Sequence, residues 1–133
     1  MEDAVLDSDV LIDAYEMGVE KLNGMRTTCV SLYEFIRGLS YLGKQAGEYK
    51  AYLERYLDVL PLDNRAVLQA SVLYGTLKRR GTPVEDPDLL IASMCIAKGL
   101  PLVTGNAKHF ERFREFGLSV RQKDEFLASA RGS

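Results

Sequence analysis

Short apolar strands that alternate with helical stretches predict an α/β sandwich around a mainly parallel sheet. Three runs carry this prediction: Ala4-Val5-Leu6, Thr27 to Val30, and Leu102-Val103-Thr104, each followed by residues at helical spacing. The 133 residues, 47% hydrophobic and 27% charged, suit one globular domain with a real core and are too few for two.

Ala4-Val5-Leu6 is the first strand, and Asp7-Ser8-Asp9 is a turn or cap before a helical face of Val10, Leu11, Ala14 and Tyr15. Gly18 and Asn23-Gly24 break that pattern. Thr27 to Val30 is β-branched and reads as the second strand. Ser31 with Glu34 then matches a capping box opening a helix through Leu42. After Gly43 and Gly47, a helix over Glu48 to Leu57 carries Tyr49, Tyr52, Leu53, Tyr56 and Leu57. Val59-Leu60-Pro61-Leu62 is a further short strand, and Asp63 caps a helix of Ala66, Val67, Ala70, Leu73, Tyr74 and Leu77 that ends at Lys78-Arg79-Arg80-Gly81. The stretch from Glu48 to Arg80 reads as helix-rich material inserted between sheet units. Asp86-Pro87-Asp88 opens an apolar helix from Leu89 to Ala97, ended by Lys98-Gly99. Leu102-Val103-Thr104 is a strand, Gly105-Asn106 turns into a short helix holding Phe110 and Phe113, and Leu118-Ser119-Val120 is a last strand.

The composition excludes several classes. No apolar run approaches the roughly 20 residues that span a bilayer, and Met1-Glu2-Asp3 lacks the basic opening of a signal peptide. A cytoplasmic protein without membrane contact is expected. Cys29 and Cys95 lie in apolar surroundings and read as buried free thiols, without the CxxC spacing of zinc or redox sites. The net charge of −2 argues against a broad basic face for nucleic acid, although an acidic metal pocket lowers net charge while local arginines still guide a phosphate backbone. Arg131-Gly132-Ser133 reads as an appended tail, which leaves residues 1–130 as the single domain.

Asp7, Glu34, Asp88 and Asn106 each stand where a strand hands over to a helix or near a helix start. In an open parallel sheet these handovers gather along the carboxyl edge, where α/β proteins hold ligands. Carboxylates clustered without a lysine among them call for a divalent cation and suggest phosphate chemistry. Each residue also has a plain structural reading. Asp7 and Asp9 compete for one helix cap, Glu34 fits the capping box, and Asp86 and Asp88 both suit a helix dipole. Asn106 suits a turn. Two acids at one cap exceed what a cap requires, which favours Asp7 and Asp88 as ligands. His109, the single histidine, reads as packed or exposed, and Arg37 faces nearly the same way as Glu34, at the pocket rim. Tyr33, Ile36 and Tyr41 mark an apolar surface suited to a protein partner.

Val5-Leu6-Asp7-Ser8-Asp9-Val10-Leu11-Ile12-Asp13, Ser31-Leu32-Tyr33-Glu34-Phe35-Ile36-Arg37-Gly38-Leu39, Gly81-Thr82-Pro83, Asp88-Leu89-Leu90-Ile91-Ala92, and Leu102-Val103-Thr104-Gly105-Asn106 with His109-Phe110 together resemble a PIN domain of the VapC toxin type. The pieces are weak singly; their order and spacing over most of the chain make the signal specific. The resemblance implies a three-layer α/β/α fold and a Mg²⁺- or Mn²⁺-dependent endoribonuclease that leaves 5′-phosphate and 3′-hydroxyl ends. It also implies a homodimer held inactive by an antitoxin protein. By position it implies Asp7, Glu34 and Asp88 as metal-binding acids, with Asn106 where many relatives have a fourth Asp. Ser8 and Thr104 would be supporting hydroxyls, and Asp9 and Asp86 outer hydrogen-bonding partners.

Two other functions share some of these features. Asp7-Ser8-Asp9-Val10 also fits the nucleophile motif of haloacid-dehalogenase-like phosphatases, but Gly105-Asn106 stands where those enzymes need a late acidic pair. A PIN-like RNA-processing nuclease, or a module that binds RNA or protein without cutting, is the remaining alternative.

Overall fold

In the computed structural model, which describes residues 2–131, the strands are β1 (Val5–Leu6), β2 (Arg26–Thr28), β3 (Asp58–Leu60), β4 (Leu102–Thr104) and β5 (Val120–Gln122). The helices are α1 (Ser8–Met17), α2 (Cys29–Tyr41), α3 (Ala46–Glu54), α4 (Asn64–Arg79), α5 (Asp86–Lys98) and α6 (Lys123–Arg131), with 3₁₀ segments at Val19–Leu22 and Ala107–Phe116. All strand pairs are parallel, in the order β3-β2-β1-β4-β5. The chain therefore builds outward from β1 to β3, then crosses back to place β4 on the other side of β1. That reversal opens a crevice at the carboxyl ends of β1 and β4.

Strand alternation splits the apolar residues into two cores, one per sheet face. Val5, Leu60, Leu102 and Val120 pack with α4, α5 and the aromatic rings of Phe110 and Phe113. Ala4, Leu6 and Val103 pack with α1, with Leu53 of α3, and with Phe126, Leu127 and Ala130 of α6. This is the expected three-layer arrangement. Both faces are covered, so β1 needs no polar residue at all.

Several boundaries differ from the sequence expectation. The second strand stops at Thr28, whose hydroxyl caps α2 by accepting the Ser31 N–H at 3.0 Å. Cys29 and Val30 are consequently helical, and Cys29 is half-exposed where a buried thiol was expected. Because Thr28 is the cap, Ser31 lies three residues inside the helix, so the capping box that would have tied Glu34 to the backbone does not form. Asp63 caps α4 as expected, accepting the Ala66 N–H at 3.0 Å. The predicted strand Val59 to Leu62 is β3, an edge member of the sheet, so Glu48 to Arg80 is part of the sheet topology and not an insertion. α5 begins at Asp86 and ends at Gly99, whose φ of 68° lets the chain fold back and cap the last carbonyls. The last strand starts two residues later than expected. α6 was not read from the sequence; its buried Phe126, Leu127 and Ala130 are too few to stand out in a polar stretch. Arg131, assigned to a tail, closes α6, while Gly132 and Ser133 lie outside the described residues.

Among the described residues, no helix is long and apolar enough to cross a membrane.

Candidate active site

The crevice between β1 and β4 is closed by one carboxylate. Asp7 follows β1 directly and caps α1, its Oδ1 accepting the Ser8 N–H at 2.8 Å. Its Oδ2 accepts the Thr104 hydroxyl of β4 at 2.8 Å. Thr104 Oγ1 accepts the Asn106 N–H at 3.0 Å in turn, so the end of β4 is keyed to the end of β1. Asp7 is only 7% exposed. Burial pushes its carboxyl up to about 6; the Thr104 and Ser8 hydrogen bonds oppose this, and the charges of Asp9 and Glu34 add to it.

Asp9 stands beside it. One carboxylate oxygen accepts the Gly105 N–H at 2.9 Å, and the other is buried with no hydrogen-bond partner among the described residues. A Cβ at Gly105 would run into the Asp9 carboxylate and meet the Lys123 side chain at 3.1 Å, so a larger residue there would displace those side chains. The Lys123 ammonium bonds Asp13 at 2.9 Å, and the Asp9 charge is a lesser influence on it.

Glu34 projects from α2 towards the same edge. Burial holds its carboxyl above the usual range; Arg37 lowers it from 3.9 Å away, the Asp88 charge raises it again, and the Ser8 side chain acts to lower it. Asp88, in the first turn of α5, meets His109 Nε2 at 2.6 Å. A carboxylate only accepts, so the proton of this contact is assigned to Nε2. Charge coupling thus runs from Asp9 to Asp7, Glu34 and Asp88. Asp7 is coupled in this way to Glu34, and Glu34 to Asp88.

Other expectations fare differently. Asn106 is exposed at the mouth and makes no side-chain cap bond. Asp86 lines a different groove with Leu62, Val67 and Tyr74, because two helical positions from Asp88 point to nearly opposite sides. His109, read from sequence as packed or exposed, is both exposed and in direct contact with a candidate ligand. Its 21-residue separation from Asp88 gave no signal; only its place one turn beyond Asn106 hinted at it.

As they stand, no three Asp, Glu, His or Cys side chains among the described residues enclose a common point. The donor chemistry nevertheless fits: oxygen ligands, mutual repulsion that burial sharpens, and a buried carboxylate oxygen on Asp9 without a partner. An open groove of about 710 Å³ leads away from Ser8, Asp9 and Glu34 along Ile12, Tyr15 and Leu39. Tyr33 and Ile36 line a separate groove on the other side of α2 with Lys50 and Val59.

With this geometry in place, the likenesses to known proteins are informative. The family model for the PIN domain matches residues 4–115. Ribonuclease VapC1 of Methanocaldococcus jannaschii is 38% identical over 120 residues, covering 90% of this chain and 87% of the relative. The solved DNA-bound VapBC of Salmonella typhimurium superposes with a TM-score of 0.73 at 27% identity, covering 92% of this chain and 99% of that one. VapBC-1 of nontypeable Haemophilus influenzae superposes at 0.74 and 21% identity, covering 91% and 98%, which supports the fold. No part of this supports the phosphatase alternative, and the chain belongs to the PIN domain family.

Proposed function

We infer that this protein is a divalent-metal-dependent endoribonuclease, the toxin of a toxin–antitoxin pair. The observation that carries the reading is the run of carboxylates at the β1/β4 crevice, opposed by one guanidinium at 3.9 Å, in a chain similar over 90% of its length to a VapC ribonuclease. Asp7, Glu34 and Asp88 would hold Mg²⁺ or Mn²⁺, with Asn106 a neutral oxygen donor at the mouth. When bound, such an ion would acidify a water and offset the charge that builds on the leaving oxygen.

The remaining steps belong to this chain's own groups. Thr104 and the Ser8 N–H fix the Asp7 carboxylate from both sides, which removes its freedom to rotate away. Arg37, exposed at the rim, can meet an RNA phosphate arriving at the acids, which lowers the repulsion between site and substrate. The products would carry 5′-phosphate and 3′-hydroxyl ends.

The antitoxin partner of this reading is supported by the VapBC complexes that the fold resembles. The groove along Ile12, Tyr15 and Leu39 suits a partner segment with an apolar face and a cationic end, because its walls are apolar and it finishes at carboxylates. A homodimer and a cytoplasmic site belong to the same reading.

A second reading, an RNA-binding module that does not cut, draws on Asn106 and on the lack of a closed three-acid set. One assay separates the two. Structured RNAs are incubated with Mn²⁺ or Mg²⁺ and either wild type, Asp7→Asn or Asp88→Asn. Cleavage by wild type alone is expected; equal cutting by all three would remove the site assignment, and binding without cutting would favour the second reading. Co-purification with the product of the adjacent gene tests the antitoxin.

A further inference from the structure

The 3₁₀ segment Ala107–Phe116 makes a set of contacts that the metal reading leaves unexplained. A 3₁₀ helix has three residues per turn, so positions three apart eclipse one another. Phe110 and Phe113 form one such row and are 1% and 0% exposed, which fixes the segment to the core. His109, Arg112 and Glu115 form the neighbouring row. All three make polar contacts with the connection between α4 and α5 or with the first turn of α5. Glu115 accepts from Arg80 at 2.8 Å. Arg112 Nη1 donates to the carbonyls of Thr82 and Pro83 at 3.3 and 3.2 Å. His109 reaches Asp88 at 2.6 Å. Read along the segment backwards, the partners are residues 80, 82–83 and 88, in chain order. In an α-helix the same three positions would drift by about 60° at each step, so the row could not face one strip of chain.

We propose that this row is a splint that holds the entrance of α5 and presents the Asp88 carboxylate to the site, with His109 as its positioning residue. The entrance needs one. Glu85 precedes α5 without a side-chain cap bond, and Asp88 itself is spoken for by the imidazole, not by the backbone. The contact uses Oδ2, which leaves Oδ1 to face a cation. Carboxylate ligands are commonly fixed by an outer hydrogen bond of this kind. The proposal rests on the metal reading above.

The test measures Mn²⁺ binding by titration calorimetry, without RNA, alongside the metal-free melting temperature. The proteins are wild type, Asp88→Asn, His109→Leu, His109→Gln, Arg112→Ala and Glu115→Ala. His109→Leu should bind Mn²⁺ about ten- to hundredfold more weakly while melting close to wild type. His109→Gln, whose amide donor reaches a similar distance, should recover most of the affinity. Arg112→Ala should lie between, and Glu115→Ala, which breaks an exposed ion pair farthest from Asp88, should weaken binding least. The splint is overturned if His109→Leu binds as tightly as wild type or more tightly, or if the Gln variant is as weak as the Leu variant. Wild type and Asp88→Asn separate the two layers of inference. Binding by wild type that Asp88→Asn loses and His109→Leu keeps removes the splint alone, whereas wild type that fails to bind overturns the metal reading and the splint together.

Discussion

The two ends of the sheet treat charge in opposite ways. At the amino edge, Asp3, Asp58 and Glu2 each have an arginine: Arg26 meets Asp3 at 3.3 Å and Asp58 at 3.2 Å, and Arg121 meets Glu2 at 3.0 Å. At the carboxyl edge no arginine or lysine bonds Asp7, Asp9 or Asp88: Arg37 reaches Glu34 only at 3.9 Å, Asp88 meets the His109 imidazole, and Lys123 bonds Asp13. The amino-edge pairs are solvated and worth little each, yet they show that this sequence places counter-charges where charge has no task. Leaving a buried acid such as Asp7 without a counter-charge costs stability, and a protein tolerates that where something else supplies the positive charge.

The largest test removes the acid at the centre of the contrast. Asp7→Asn should lower RNA cleavage by about 10³-fold, some 4 kcal/mol of lost ion-supported stabilisation, measured as initial rates at saturating Mg²⁺. A variant that cuts at wild-type rate would mean the carboxyl edge is no different in kind from the amino edge.

Next in size is stability in the absence of metal. The Asp7 carboxyl is raised from 3.8 to about 6, so the folded state holds its proton over a range where the unfolded chain has lost it. Its contribution is present below pH 4 and is lost as pH rises through about 6, a fall of about 3 kcal/mol. Urea unfolding of wild type and Asp7→Asn at pH 4 and pH 7.5, with chelator present, should show the variant gaining relative to wild type at the higher pH. Mg²⁺ at about 100 times its Kd should return about 2.7 kcal/mol to wild type and nothing to the variant. A pH-independent difference would contradict the buried-charge account.

Asn106→Asp adds a fourth acid at the mouth and sharpens the imbalance further. Mn²⁺ affinity should rise about tenfold, or about 1.4 kcal/mol, read by calorimetry, with a lower melting point in chelator. The smallest effect lies at the other edge. Arg26→Ala breaks two exposed pairs and should cost about 0.2–1 kcal/mol in chemical denaturation, with RNA cleavage unchanged.

Much of this contrast was legible in the chain itself. Ala4-Val5-Leu6 and Leu102-Val103-Thr104 announced buried parallel strands, and the acid or amide just beyond each announced the edge where they end. Glu34 was harder, because Ser31 mimicked a cap; only the fold reveals that Thr28 caps α2 and leaves Glu34 free of the backbone. The contact of His109 was not legible, because nothing local distinguishes a histidine beside Phe110 from one that reaches a carboxylate 21 residues away. α6 escaped because three apolar residues in a polar stretch acquire meaning only when a core is there to receive them.

Strand and helix identities, and the residue types at their junctions, follow from local periodicity, capping preference and the chemistry of side chains, all written along one dimension. Which junctions meet depended on the strand order. Pairing β4 to β1 instead of to β3 brings Thr104 to Asp7 across 97 positions of chain, and the three-residue turn of Ala107–Phe116 brings His109 to Asp88. Such contacts are set by how layers stack to bury both faces of a sheet, a global balance of apolar area that no short stretch of sequence carries.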